Sequence, residues 1–121
     1  MTSLAIWLDQ EQAKFFRFNN EKVETSHLKS KHQDHHHHHP DHLDQQRQEH
    51  AFFAEAAGKI TDASRVLILG PGGAKDHFHK YLVEHHAEMA KRVAGCETVD
   101  HPSDPQIAAH ARKFFDLKDE H

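Results

Sequence analysis

Short runs of apolar and aromatic residues alternate with polar stretches at the N-terminal end of the chain. Leu4 to Leu8 (LAIWL) and Lys14 to Phe18 (KFFRF) are rich in strand formers, and the polar Asp9 to Ala13 between them reads as a hairpin connection. Val23, Thr25 and His27 then alternate with Lys22, Glu24 and Ser26, which predicts a third strand over Lys22 to Leu28 after a turn at Asn19-Asn20. Lys29 to Pro40 (KSKHQDHHHHHP) has no apolar residue and no Gly. With nothing to bury, it predicts a solvated loop. After Pro40 the period changes: Phe52, Phe53, Ala56, Ala57 and Ile60 fall on one helical face, and Asp41 can cap its start. The first helix is expected from about Asp41 to Ile60.

Val66 to Leu69 (VLIL), between Arg65 and Gly70, is the continuous apolar run of a strand buried on both faces and placed centrally in its sheet. GPGGAK follows. Phe78, Tyr81, Leu82, His85, Met89 and Val93 then recur every three or four residues, predicting a second amphipathic helix that Gly95 ends. Cys96 to Val99 offers a short fifth strand. Ser103 stands three residues before Gln106, a capping-box spacing, with Pro105 tolerated in a first turn. The third helix buries Ile107, Ala108, Ala111, Phe114 and Phe115. The order β-β-β-α-β-α-β-α predicts an α/β domain, 1–121, with a mixed five-stranded sheet of ribonuclease-H-like type. The charged tail LKDEH is expected to fray.

A length of 121 residues, 36% apolar and 8% aromatic, suits one small domain. Fifteen Lys and Arg against nineteen Asp and Glu give 15 − 19 = −4, which excludes a protein that coats nucleic acid by bulk positive charge. Sixteen His change that picture: full protonation would take the charge to −4 + 16 = +12, and exposed imidazoles titrate near roughly 6.5. One cysteine, Cys96, can build neither an internal disulfide nor a thiolate cluster. The five apolar residues Leu4 to Leu8 are too few for a signal peptide or a membrane span, so a soluble, cytoplasmic protein is expected.

His32, His35, His36, His37, His38, His39 and His42 crowd one segment. Alternate residues of an extended chain, or residues four apart on a helix, can converge on one ion, so His35, His37, His39 and His42 are candidate ligands for Zn or Ni. Asp34 and Asp41 can orient them. No cofactor is required by this reading. Lys29, Lys31 and His32, with the imidazoles, also form the cation-rich stretch that can meet RNA phosphates or stack on bases. At GPGGAK a strand feeds a helix, so Gly72, Gly73 and Lys75 are candidates for holding an anion. The spacing fits neither a Walker loop nor a dinucleotide fingerprint. Asp9 ends the first strand, but no acid ends the fourth, which disfavours two-metal hydrolysis. Cys96 reads as a packed hydrophobe. Asp100, His101 and Ser103 are too close in sequence for a triad, and capping explains Ser103 better. His85 and His86 read as packed or solvated side chains.

From the fourth strand onward, VLILGPGGAKDHFHKYLVEH resembles the central domain of Pelota and of eukaryotic and archaeal class I peptide release factors, on Gly70, Pro71, Gly72, Lys75, Asp76 and Phe78. The turn Asp100-His101-Pro102 is similar to that of small stand-alone bacterial translational machinery, or release-factor-like, proteins. The resemblance implies the same fold and a translation setting. Release factors hydrolyse peptidyl-tRNA with a Gly-Gly-Gln loop between the third strand and first long helix. The corresponding segment here, Lys29 to Pro40, has no such triplet, and Gly72-Gly73-Ala74 belongs to a later turn.

The reading that follows is a non-enzymatic module directed to the ribosome or RNA. A metal-buffering protein and an aminoacyl- or peptidyl-tRNA ester hydrolase with a divergent loop are the alternatives. A short strand at the sheet edge can also pair two copies, which allows a homo-oligomer.

Overall fold

The computed structural model describes residues 2–19, 22–30 and 42–117, the side chains of 42–45 apart. Five strands and four helices follow in the order β1 (Thr2–Leu8), β2 (Gln12–Asn19), β3 (Lys22–Lys29), α1 (His42–Gly58), β4 (Arg65–Gly70), α2 (Ala74–His85), α3 (Ala87–Ala90), β5 (Val93–Thr98) and α4 (Asp104–Phe115). The strands form one mixed sheet ordered β3-β2-β1-β4-β5. β1 to β3 make the expected antiparallel meander, and β1, β4 and β5 run parallel. The α/β class and five-stranded mixed sheet are as the sequence predicts; the short α3 is additional. No described helix is long and apolar enough to cross a membrane.

β1 occupies the middle of the sheet, with β4 beside it. Ser3 to Leu8 are all buried, because successive side chains point to opposite faces and both faces are covered. Leu4, Ile6 and Leu8 join Phe15, Val66 and Ile68 under α1 and α2, which supply Phe52, Phe53, Ala56, Ala57, Phe78 and Leu82. Ala5 and Trp7 join Phe16, Phe18, Leu67 and Leu69 on the other face, under Ile107, Ala108, Ala111 and Phe115 of α4. Phe114, expected in that core, is only half-buried at its edge. β3 is the outer strand: Thr25 and His27 are exposed, and only Val23 and Leu28 reach the cores.

The hairpin closes on Asp9. Its backbone N–H donates to the Gln12 carbonyl, and its Oδ1 accepts from the N–H groups of Glu11 and Gln12 at 2.8 and 3.0 Å. An aspartate that satisfies its own turn explains why the chain reverses there. Ser103 caps α4 as its spacing predicts, with both reciprocal bonds of a capping box present and Pro in the first turn.

The C-terminal half also differs from expectation between α2 and β5, the strand running Val93–Thr98 where Cys96 to Val99 is expected. The second helix stops at His85, and the spacing through Met89 and Val93 does not continue it. His86 leaves helical geometry at φ −142°, ψ 63°; Met89 sits in α3, and Val93 opens β5. Gly95 is therefore not a helix stop. It lies inside β5, opposite Leu67, where an added Cβ would stand 2.8 Å from Cζ of Phe114 and 3.2 Å from Cδ1 of Leu67. Its missing side chain lets α4 approach the sheet. Gly70 has a stricter role: a Cβ there would press into the backbone carbonyl oxygen of Leu8, which no rotamer can move away.

These two glycines should respond differently to Ala. Gly70→Ala must displace β1 from β4 and is expected to lower unfolding free energy by about 3 kcal/mol, the upper end of overpacking costs. Gly95→Ala can be relieved by a shift of the half-buried Phe114 ring and should cost about 1 kcal/mol. Urea unfolding of both variants checks the order.

Candidate functional site

The C-terminal ends of the three parallel strands meet at one edge of the sheet, where open α/β sheets place ligand crevices. Leu8 of β1 lies against Gly70 of β4, and the N–H of Val99, just past β5, donates to the Gly70 carbonyl at 3.0 Å. Beyond Val99 the chain turns through Asp100, His101 and Pro102 before α4 folds back. A cleft of about 440 Å³ opens between this turn, the strand ends and α4. Leu69, Val99, Ile107 and Pro102 give it apolar walls; Asp100, His101, Gln106 and His110 give it polar atoms.

Each imidazole in the cleft meets a carboxylate. His101 Nδ1 is 2.8 Å from Asp100 Oδ1, and its Nε2 is 4.0 Å from Asp9 Oδ2. His110 Nε2 is 2.7 Å from Glu97 Oε1. The indole N–H of Trp7 donates to the Asp100 carbonyl at 2.9 Å, and the Trp7 ring meets His101 edge-on, with centroids 5.3 Å apart. Trp7 is itself buried, so it fixes the turn from below. Lys14 and Asp104 at the rim neutralise one another at 3.0 Å. Asp9, noted in the sequence as a strand-end acid, is thus a turn former with one oxygen toward His101. Ser103 is committed to its cap. His101 was visible beforehand only as part of a turn. The sequence marks Gln106 only as the cap partner of Ser103 and does not mark Trp7, Glu97 or His110; the spacing of Gln106 and His110, four apart on one helix face, is the signal for the last.

GPGGAK forms the neighbouring turn into α2. Gly73 is the N-cap residue, in right-handed geometry, and its carbonyl accepts from His77 at 3.0 Å. Lys75 is buried, and its Nζ donates to the Gly72 carbonyl at 2.8 Å and reaches Asp76 at 3.3 Å. An anion at this turn would compete for that ammonium with a carbonyl and a carboxylate already in place. Cys96 Sγ lies 3.8 Å from Asp76 Oδ1. Burial pushes the thiol above the usual cysteine range; the Asp76 charge adds to this, and Lys75 opposes it. The thiol therefore stays protonated at neutral pH and is no nucleophile.

The rings of His50 on α1, His85 on α2 and His86 just past it surround Tyr81, at centroid distances of 5.6, 4.7 and 5.6 Å. All three imidazoles are exposed, and ring packing is their visible role. Among the described residues no group of three or more His, Cys, Asp or Glu is arranged to hold a metal. Of the predicted contact arm, Lys29 is exposed at the end of β3. Lys31, His32, His35, His37 and His39 lie outside the described residues, as does the side chain of His42, whose backbone begins α1.

No protein-family model matches the sequence, and no curated protein matches it. Solved structures do match. Pelota from Archaeoglobus fulgidus superposes with a TM-score of 0.67 at 19% identity, over 93% of this chain and 31% of that one. Pelota from Thermoplasma acidophilum gives 0.65 at 16% identity, over 90% and 31%. The archaeal translation termination factor aRF1 gives 0.58 at 15% identity, over 95% and 37%. The chain has the fold of a Pelota or release-factor domain. It spans about a third of the length of these structures.

The contacts of Cys96 give a check on this edge of the sheet. Asp76→Asn removes the charge that opposes thiolate formation, so Cys96 should titrate at lower pH. Iodoacetamide should then label the variant faster than the parent at mildly alkaline pH, as read by mass spectrometry.

Proposed function

We propose that this protein is a non-enzymatic module of translation that contacts the ribosome through its RNA. The observation that carries this reading is the fold shared with Pelota and aRF1 over nine-tenths or more of the chain.

The contact arm in this reading is Lys29, Lys31, His32 and the run His35 to His39, in the segment that joins β3 to α1. That is where release factors carry Gly-Gly-Gln, and this sequence has no such triplet there. An arm of imidazoles and lysines can recognise phosphate and bases. Its attraction to RNA grows as the imidazoles gain protons and falls as salt screens it.

Sedimentation with ribosomes through a sucrose gradient tests this. The full chain should travel with ribosomes at low salt, more so at mildly acidic pH, and a variant with 31–39 replaced by a Gly-Ser segment of equal length should stay at the top. Equal behaviour of the two proteins overturns the arm, and absence of both from the ribosome fractions overturns the reading. Calorimetric titration with Zn or Ni that gives sub-micromolar affinity at a defined stoichiometry, without ribosome association, would assign the tract to metal handling instead.

A further inference from the structure

The cleft beside the Asp100-His101-Pro102 turn has a floor and a rim of opposite character. Leu69, Val99 and Ile107 offer apolar surface beneath an opening of about 440 Å³, within the size range of ligand pockets. Of the carboxylates, Asp100 lines it, 2.8 Å from His101 Nδ1, while Asp9 and Glu97 stand behind the lining imidazoles, 4.0 Å from His101 Nε2 and 2.7 Å from His110 Nε2. Lys14 at the rim is taken by Asp104. With neutral imidazoles these three carboxylates, one in the wall and two behind it, leave the cleft's surroundings negative. A phosphate or an acidic segment is repelled there, and a purely apolar group would desolvate the rim without return.

Long basic side chains match both parts. Lysine and arginine bury their methylene stems on apolar surface while the charged head stays at the edge, and a guanidinium can bridge carboxylates with directed N–H donors. We propose that this cleft docks a basic peptide segment of a partner protein, with an Arg or Lys stem on Leu69, Val99 and Ile107 and its head at Asp100, in the field of the His110–Glu97 pair. The proposal does not rest on the RNA-contacting arm and stands whether or not the chain binds ribosomes. His101 and His110 act as positioning residues that hold these carboxylates in place.

Trp7 makes the proposal measurable. It is the only tryptophan in the sequence, and its indole is bonded to the turn that forms one wall. Titrating the full chain with a short peptide carrying two arginines should change Trp7 emission saturably, and ring-proton NMR signals of His101 and His110 should move at the same concentrations. A matched peptide with glutamine in place of arginine should do neither. The double variant Glu97→Gln, Asp100→Asn should bind about tenfold more weakly, as expected for losing two partly exposed charges. Both substituted side chains lie at the surface, and circular dichroism verifies that the fold is kept. Equal response to the glutamine peptide, unchanged affinity in the double variant, or a full response to spermidine or a mononucleotide but not to the peptide would each overturn the assignment.

Discussion

The structure depends on burying β1 from both sides at once. β1 pairs antiparallel with β2 along its whole length and parallel with β4 from Ser3 to Trp7. Every side chain from Ser3 to Leu8 is then enclosed, alternately beneath the α1 and α2 layer and beneath α4. The hydrophobic surface removed from water by this strand is shared between two cores, so neither helix layer can leave without exposing it. The close passage of Leu8 past Gly70 follows from the same pairing, and it sets the level at which β1 and β4 end together.

Ending together has a functional consequence. When parallel strands stop at one level, the connections that follow them crowd one edge, and side chains far apart in sequence become neighbours there. Trp7 reaches the Asp100 carbonyl, Asp9 approaches His101, and Glu97 meets His110. The turn after β4 adds the buried Lys75, bonded to the Gly72 carbonyl, and the exposed Asp76, which reaches Lys75 and Cys96. One turn is thus internally satisfied, and the other opens on a cleft with ionisable groups at its mouth.

Much of the fold was legible in the sequence because local signals agreed with tertiary packing. Val66 to Leu69 reads as a two-sided strand and is one; Ser103 to Gln106 reads as a capping box and is one. The misreading of Gly95 came from a coincidence of period. Met89 and Val93 extend the helical spacing of Phe78 and Leu82, although the backbone breaks at His86 and resumes as α3 and a strand. Glycine then looked like a terminator, whereas its absent side chain makes room for Phe114. The cleft was the least legible part. His101 could be noticed beside Asp100, but the Glu97 and His110 pair joins β5 to α4 across thirteen positions. Such a pair exists only once the helix has folded back on the sheet.

The chain leading out of β3 is anchored before its composition turns extreme. Ser30 is buried, and its N–H donates to the Glu11 carbonyl at 2.8 Å, while α1 begins at His42 on the far side. Two fixed posts of this kind make the span between them a replaceable cassette: closing a longer connection costs only about 0.6 kcal/mol per doubling of its length. Relatives with this scaffold can therefore diverge freely in the length and chemistry of that insert while the sheet beneath it keeps its form.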